Sequence, residues 1–172
     1  MMQPDIPPAL SFPGNERNSP ESEAPPKVGP VLETALYVAN LERSVAFYRR
    51  VLGFQLASKP MSQMCVLSIT PSQVLLLFRK GGSVEATVTP YGTIPPTDGD
   101  GSLHLTFFVP GPHFEIWKDR LRRLGVAVES FLTWPAGGRS IYFRDPDNHL
   151  LELKTSRWQG KELHSESELS AV

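Results

Sequence analysis

From residue 31 onward the chain alternates strand-like and helix-like hydrophobic patterns, and it does so twice. In the run Leu32–Val38, Leu32, Thr34, Leu36 and Val38 share one face, and Glu33, Ala35 and Tyr37 share the other. Asn40 has the character of a helix N-cap, and Leu41, Val45, Tyr48 and Leu52 follow at helical spacing up to Gly53, a C-cap signal. Strands are predicted at Gln55–Ser58, Cys65–Thr70 and Gln73–Arg79. A loop rich in Gly, Pro, Thr and Asp is expected from Lys80 to Gly101.

The pattern then repeats. Leu103–Val109 alternates cleanly, with Leu103, Leu105, Phe107 and Val109 opposite His104, Thr106 and Phe108. A helix is predicted over Pro112–Leu124, ending at Gly125, and strands at Val126–Ser130, Arg139–Arg144 and Leu150–Thr155. The two halves match at an offset of 71 residues from Glu33 to His104 and 72 from Leu52 to Leu124, as a duplicated βαβββ unit does. The last two strands flank Asp145-Pro146-Asp147-Asn148, a run of turn formers. In the final strand Leu151 and Leu153 face one way, while Leu150, Glu152 and Lys154 face the other. A mid-strand carboxylate opposite a row of leucines is not what a core strand needs.

Composition narrows the function classes. The 172 residues carry a net charge of −1, which gives no electrostatic case for nucleic acid or an anionic membrane. The single cysteine, Cys65, excludes an internal disulfide and fits a reducing compartment, so a cytoplasmic location is expected. Cys65 lies in an apolar run and reads as a buried strand residue. No signal peptide and no apolar run of transmembrane length is legible. Eight prolines in the first thirty positions predict a disordered tail over 1–29. A folded domain is expected over 30–157, with modules 31–79 and 102–155, followed by a polar tail over 158–172.

The residues LYVANLERSVAFYRRVLGF in the first half, and HLTFFV, RLRRLGVAVE and GRSIYFRDPDNHLLELKT in the second, resemble the vicinal oxygen chelate superfamily. That group includes glyoxalase I, fosfomycin-resistance proteins, bleomycin-binding proteins and extradiol dioxygenases. The resemblance covers Val31 to Thr155. It implies an α+β fold in which two βαβββ modules form a curled mixed-sheet cup with helices outside, and it implies a homodimer by pairing of modules. The family's metal-ligand positions fall on Glu33, His104 and Glu152, each on the face opposite the leucines. Charged groups gathered on one such face are costly unless paired or metal-bound. The counterpart of Glu152 in the first half is Leu76, which cannot bind a metal. Three ligands of this kind suit Mn, Fe(II), Ni, Co or Zn and leave coordination sites open.

The resemblance implies a metal-dependent glyoxalase-like enzyme, a lyase or isomerase, acting on a small substrate with vicinal oxygens. A ligating carboxylate, Glu33 or Glu152, is the candidate general base. Tyr142, Arg139 and Phe108 are the candidate substrate contacts, with Arg139 suited to an anionic group and Leu76, Phe78 and Phe108 as apolar wall. Three alternatives stand beside this reading: an Fe(II) ring-cleaving dioxygenase, a fosfomycin-resistance-type transferase, and a metal-free bleomycin-type binding protein. The first two place a histidine where Glu33 stands; the third retains no ligands. His149 is read as pointing toward the helix side, a supporting or solvent residue, and His113 and His164 are set aside.

Overall fold

The computed structural model describes residues 24–135 and 137–156. The proposed tails 1–29 and 158–172 fall largely outside the described residues, and the compact unit begins at Val31. The first module runs β1 (Glu33–Val38), α1 (Leu41–Leu52), β2 (Gln55–Leu56), β3 (Met64–Thr70) and β4 (Gln73–Arg79). Its sheet has the order β1-β4-β3-β2, with β1 parallel to β4 and the other pairs antiparallel. A linker hairpin, β5 (Thr87–Thr89) and β6 (Gly92–Ile94), separates it from the second module. There β7 (His104–Phe108), α2 (Phe114–Arg123), β8 (Val128–Thr133), β9 (Arg139–Arg144) and β10 (Leu150–Lys154) build the order β7-β10-β9-β8. The same topology therefore occurs twice, as two four-stranded mixed sheets with one helix each. No described helix is long and apolar enough to cross a membrane.

Strand register fixes the internal correspondence. Ala35 pairs with Leu76 in the first sheet, and its counterpart Thr106 pairs with Glu152 in the second. Leu76 thus occupies in module one the position that Glu152 occupies in module two.

Local chemistry accounts for the elements and for where they depart from expectation. Asn40 caps α1 by accepting the Arg43 N–H at 2.9 Å, and Gly53 closes it in the left-handed region at φ 78°. The second helix starts later than its apolar pattern suggests. Pro110 precedes a 3₁₀ turn at Gly111–His113 that contains Pro112, and the α-helix begins at Phe114. Strand β2 is only two residues long, because Pro60 and the polar run before it offer little to a ladder. Strand β8 sits further along than expected, with a register shift between Val128 and Ser130. The linker, expected as loop throughout, is tied down at its base. Lys80 pairs with Asp100, the Gly81 N–H donates to Asp98, and the Tyr37 hydroxyl donates to the Thr97 carbonyl at 2.5 Å. Gly99 lies flat on the Tyr37 ring, where a Cβ would come within 2.6 Å of it.

One core serves both modules. Leu36, Val38, Leu67, Leu75 and Leu77 from the first sheet join Ile141, Phe143, Leu151 and Leu153 from the second, with Tyr48 and Leu121 from the helices, all buried. Phe54 meets Phe107 edge-on at 5.5 Å between ring centroids. Arg120 on α2 donates to the free C-terminal carbonyls of α1, reaching Val51 at 2.8 Å and Arg50 at 2.6 Å.

The β9–β10 turn does more than reverse the chain. Asp145 accepts the Asp147 and His149 N–H groups within the turn, and also the Tyr48 hydroxyl of α1 at 2.9 Å. Burial and then the Asp145 carboxylate hold the Tyr48 phenol strongly protonated. Asp147 accepts the Ala39 N–H at 2.8 Å and the Ser44 hydroxyl at 2.9 Å, and pairs with Arg43 at 3.2 Å. His149 is 1% exposed rather than a solvent residue. Its Nδ1 accepts the Leu103 N–H at 3.0 Å, which leaves Nε2 as donor to the Tyr37 carbonyl at 3.1 Å. The turn of module two is thus the latch on the β1–α1 junction of module one.

Removing one side of that latch strands its donors. Asp147→Ala should cost about 2 kcal/mol, because the Ala39 N–H and Ser44 hydroxyl lose their acceptor. Asp119→Ala, at a surface i,i+3 pair with Arg122, should change stability by less than about 0.5 kcal/mol. Urea unfolding of both variants reads the difference; equal losses would mean the turn does not hold the modules together.

Candidate functional site

Glu152 stands at the centre of β10, flanked in register by Thr106 of β7 and Tyr142 of β9. It is only 4% exposed. Three hydroxyl groups converge on its carboxylate. Ser140 donates to Oε1 at 2.5 Å, Tyr142 to Oε1 at 3.0 Å, and Thr106 to Oε2 at 2.8 Å. His104, at the start of β7 and half exposed, holds Nε2 3.4 Å from Oε2 and 3.3 Å from the Thr106 hydroxyl. Each contact follows from alternation: all five residues fall on the face opposite Leu105, Phe143, Leu151 and Leu153.

Burial by itself would push the Glu152 carboxyl up. The hydrogen bonds from Ser140, Thr106 and Tyr142, with the Lys154 charge, outweigh it and hold the group below the ordinary glutamate range. Tyr142 moves the other way: burial and its hydrogen bond to Glu152 raise the phenol, so it remains a donor. The network extends outward. The Trp134 indole N–H donates to the Ser140 hydroxyl at 2.8 Å, and the Lys154 ammonium lies 4.1 Å from the Trp134 ring centre.

The structure brings three of the sequence candidates together: His104, Glu152 and Tyr142, with the His104 and Tyr142 rings 6.2 Å apart. Phe108 lies on the same face, paired with Lys154. Two candidates are elsewhere. Glu33 begins β1 in the other sheet and is exposed, and no group of three or more His, Cys, Asp or Glu is placed to hold a metal ion among the described residues. Arg139 is the second. It shares its face with Ile141 and Phe143, toward α2, where its guanidinium stacks 3.9 Å from the Phe114 ring centre and pairs with Glu115 at 2.8 Å. Strand parity carries it away from Tyr142, onto the opposite face of the sheet.

The centre of the matching face in the first sheet is apolar. Leu76 sits between Ala35 and Val66, and Phe78 stacks on Tyr37 at 5.7 Å. Sequence reasoning placed Thr106, Ser140 and Lys154 on the right face but gave them no role, and passed over Trp134. Their signal was a carboxylate surrounded by hydroxyl residues at matching strand positions.

Comparison with known proteins identifies the family and the fold. The family model described as Glyoxalase/Bleomycin resistance protein/Dioxygenase superfamily matches residues 31–153. A curated relative, glutathione transferase FosA of Serratia marcescens, is 30% identical over 121 residues, covering 69% of this chain and 74% of that protein. The solved lactoylglutathione lyase of Agrobacterium tumefaciens superposes with a TM-score of 0.69 at 32% identity, over 80% of this chain and all (100%) of its own. The fosfomycin resistance protein FosX of Listeria monocytogenes shares the fold at a TM-score of 0.57 and 22% identity, over 77% of this chain and 97% of its own.

The hydroxyl cradle has a measurable consequence. A carboxylate whose folded pKa is depressed adds stability above its unfolded value, near 4.5, and loses it as pH falls through the folded value. Glu152→Gln should therefore flatten the acid limb of the stability–pH curve below pH ~4.5. It should also cost about 1–2 kcal/mol at neutral pH, since the amide cannot accept from all three hydroxyls. Chemical denaturation between pH 3 and 7 checks both; parallel curves for the two proteins would contradict the cradle.

Proposed function

Because the chain belongs to the Glyoxalase/Bleomycin resistance protein/Dioxygenase superfamily, we propose that it is a metal-dependent enzyme of glyoxalase type. Its substrate is a small molecule with vicinal oxygens. The observation that carries this reading is the His104–Glu152 pair: an imidazole nitrogen and a carboxylate oxygen 3.4 Å apart on one open face, with the carboxylate fixed by three hydroxyls. Two donors each roughly 2.1 Å from a common ion lie about 3 Å apart, so the pair fits a divalent transition metal. Glu33 is the third donor in this reading, contributed by a second copy of the chain, since its own sheet carries it away from the pair.

Such an ion supplies Lewis acidity, favouring negative charge on the oxygens of a bound substrate. The chain's own groups divide the remaining work. Glu152 has a depressed proton affinity and three donors already on it, which suits a fixed ligand better than a base. Glu33 is outside that network and exposed, so the base role falls to it. Tyr142 keeps its proton and orients Glu152 through their 3.0 Å hydrogen bond. Leu76 and Phe78 share the first sheet with Glu33, so in this reading the second copy that brings Glu33 also brings them as apolar wall, which limits water at the reacting atoms.

A second reading has support of its own. The 30% identity to a glutathione transferase makes thiol transfer to a small electrophile a competitor of lyase chemistry. Both readings share the metal, and the likeness to a lactoylglutathione lyase favours the first.

The test is metal content together with turnover. The full chain purified without chelator should hold about one transition metal ion, and His104→Ala should reduce it at least tenfold while leaving the fold intact. With glutathione and methylglyoxal the loaded protein should form a thioester; with glutathione and fosfomycin a new thioether would favour transfer instead. A wild-type protein that takes up no metal would overturn both.

A further inference from the structure

The geometry points to Lys154 and Trp134 as an anion-recognising end of the cup face, so that the substrate carries a carboxylate or phosphonate beside the oxygens read at Glu152 and His104. The inference rests on the small-substrate reading of that face.

Lys154 follows Glu152 by two residues on β10 and shares its face, one strand repeat or roughly 7 Å along. Its ammonium lies over the Trp134 ring at 4.1 Å. Trp134 is itself fixed by the hydrogen bond to Ser140, which in turn donates to Glu152. The cation is therefore held at a set distance from the candidate metal pair, by the same chain of contacts that fixes the carboxylate. In register beside it are Phe108 on β7 and Ser140 on β9, with Leu132 beyond on β8. An ammonium on an aromatic and aliphatic floor is poorly hydrated, which strengthens its attraction for an incoming anion.

The other cations near this face are already committed. Arg144 pairs with both carboxylate oxygens of Glu129 and donates to the Asn148 carbonyl. Arg139 is on the opposite face with Glu115. Lys154 has no ion pair among the described residues. The position suits a compact, singly placed anion on a substrate whose reactive oxygens lie a few bonds away.

Two acids that differ only at the far end test this. 2-Oxoglutarate and 2-oxovalerate share a five-carbon chain and a 2-oxo acid group, and only the former has a distal carboxylate. Calorimetric titration of the full chain with Mn(II) present should show about tenfold tighter binding of 2-oxoglutarate. Lys154→Met should bring that ratio close to one, and Lys154→Arg should restore most of it. A merely structural role for Lys154 would weaken both acids together and leave the ratio unchanged. The inference is overturned by a wild-type ratio near one, by an unchanged ratio in Lys154→Met, or by a wild type that binds neither acid. Failure of the underlying metal reading looks different: binding of both acids would be indifferent to Mn(II).

Discussion

The structure turns on one buried carboxylate. Glu152 has almost no solvent exposure, yet it sits on the face of β10 away from the leucine core. An ionised carboxylate in such a place costs several kcal/mol unless its lone pairs are satisfied. Here three hydroxyls satisfy them, Thr106 and Tyr142 from the two flanking strands and Ser140 from two residues before Tyr142 on β9. The satisfied carboxylate remains charged, and His104 stands beside it. Everything chemical that the face offers, from the imidazole to the Trp134–Lys154 pair, is connected to that carboxylate by hydrogen bonds or charge.

Holding the strand that carries Glu152 in place is the task of the adjoining turn. Asp145, Asp147 and His149 take donors and acceptors from β1, α1 and their junction, so the two modules meet through polar contacts as well as through a shared core. The contrast between the modules is equally instructive. Register equates Leu76 with Glu152, and the first sheet sets a half-buried Leu76 between apolar neighbours where the second buries a charge. One copy of the duplicated unit has kept a wall and the other a polar centre.

Much of this was legible before any coordinates. Period-two alternation assigns faces unambiguously, so Glu152, His104, Thr106, Ser140 and Tyr142 could be collected on one side from sequence alone. The repeat identified Leu76. What the pattern does not carry is the third dimension between elements. Arg139 lies three residues from Tyr142, an odd step that puts it on the other face, and its attraction to a substrate role came from residue type rather than parity. The Trp134–Ser140 bond comes from a loop folding back, which alternation does not encode. The linker hairpin was hidden because Val88, Tyr91 and Ile94 are exposed and bury nothing that would register as a pattern. Asp145 and Asp147 were recognised as turn formers, but their partners lie about a hundred residues away in sequence.

The central claim is that His104 and Glu152 act as a pair toward one metal ion, with the carboxylate ionised and presented by its hydroxyl cradle. Zinc titration followed by NMR of the histidine ring nitrogens and glutamate carboxyl carbons tests it at the level of the residues. The account predicts that the His104 nitrogen and Glu152 carboxyl signals move together and saturate at about one ion per chain, with His149 unaffected in its latch. Movement of either residue without the other, or saturation that leaves both unchanged, would contradict it.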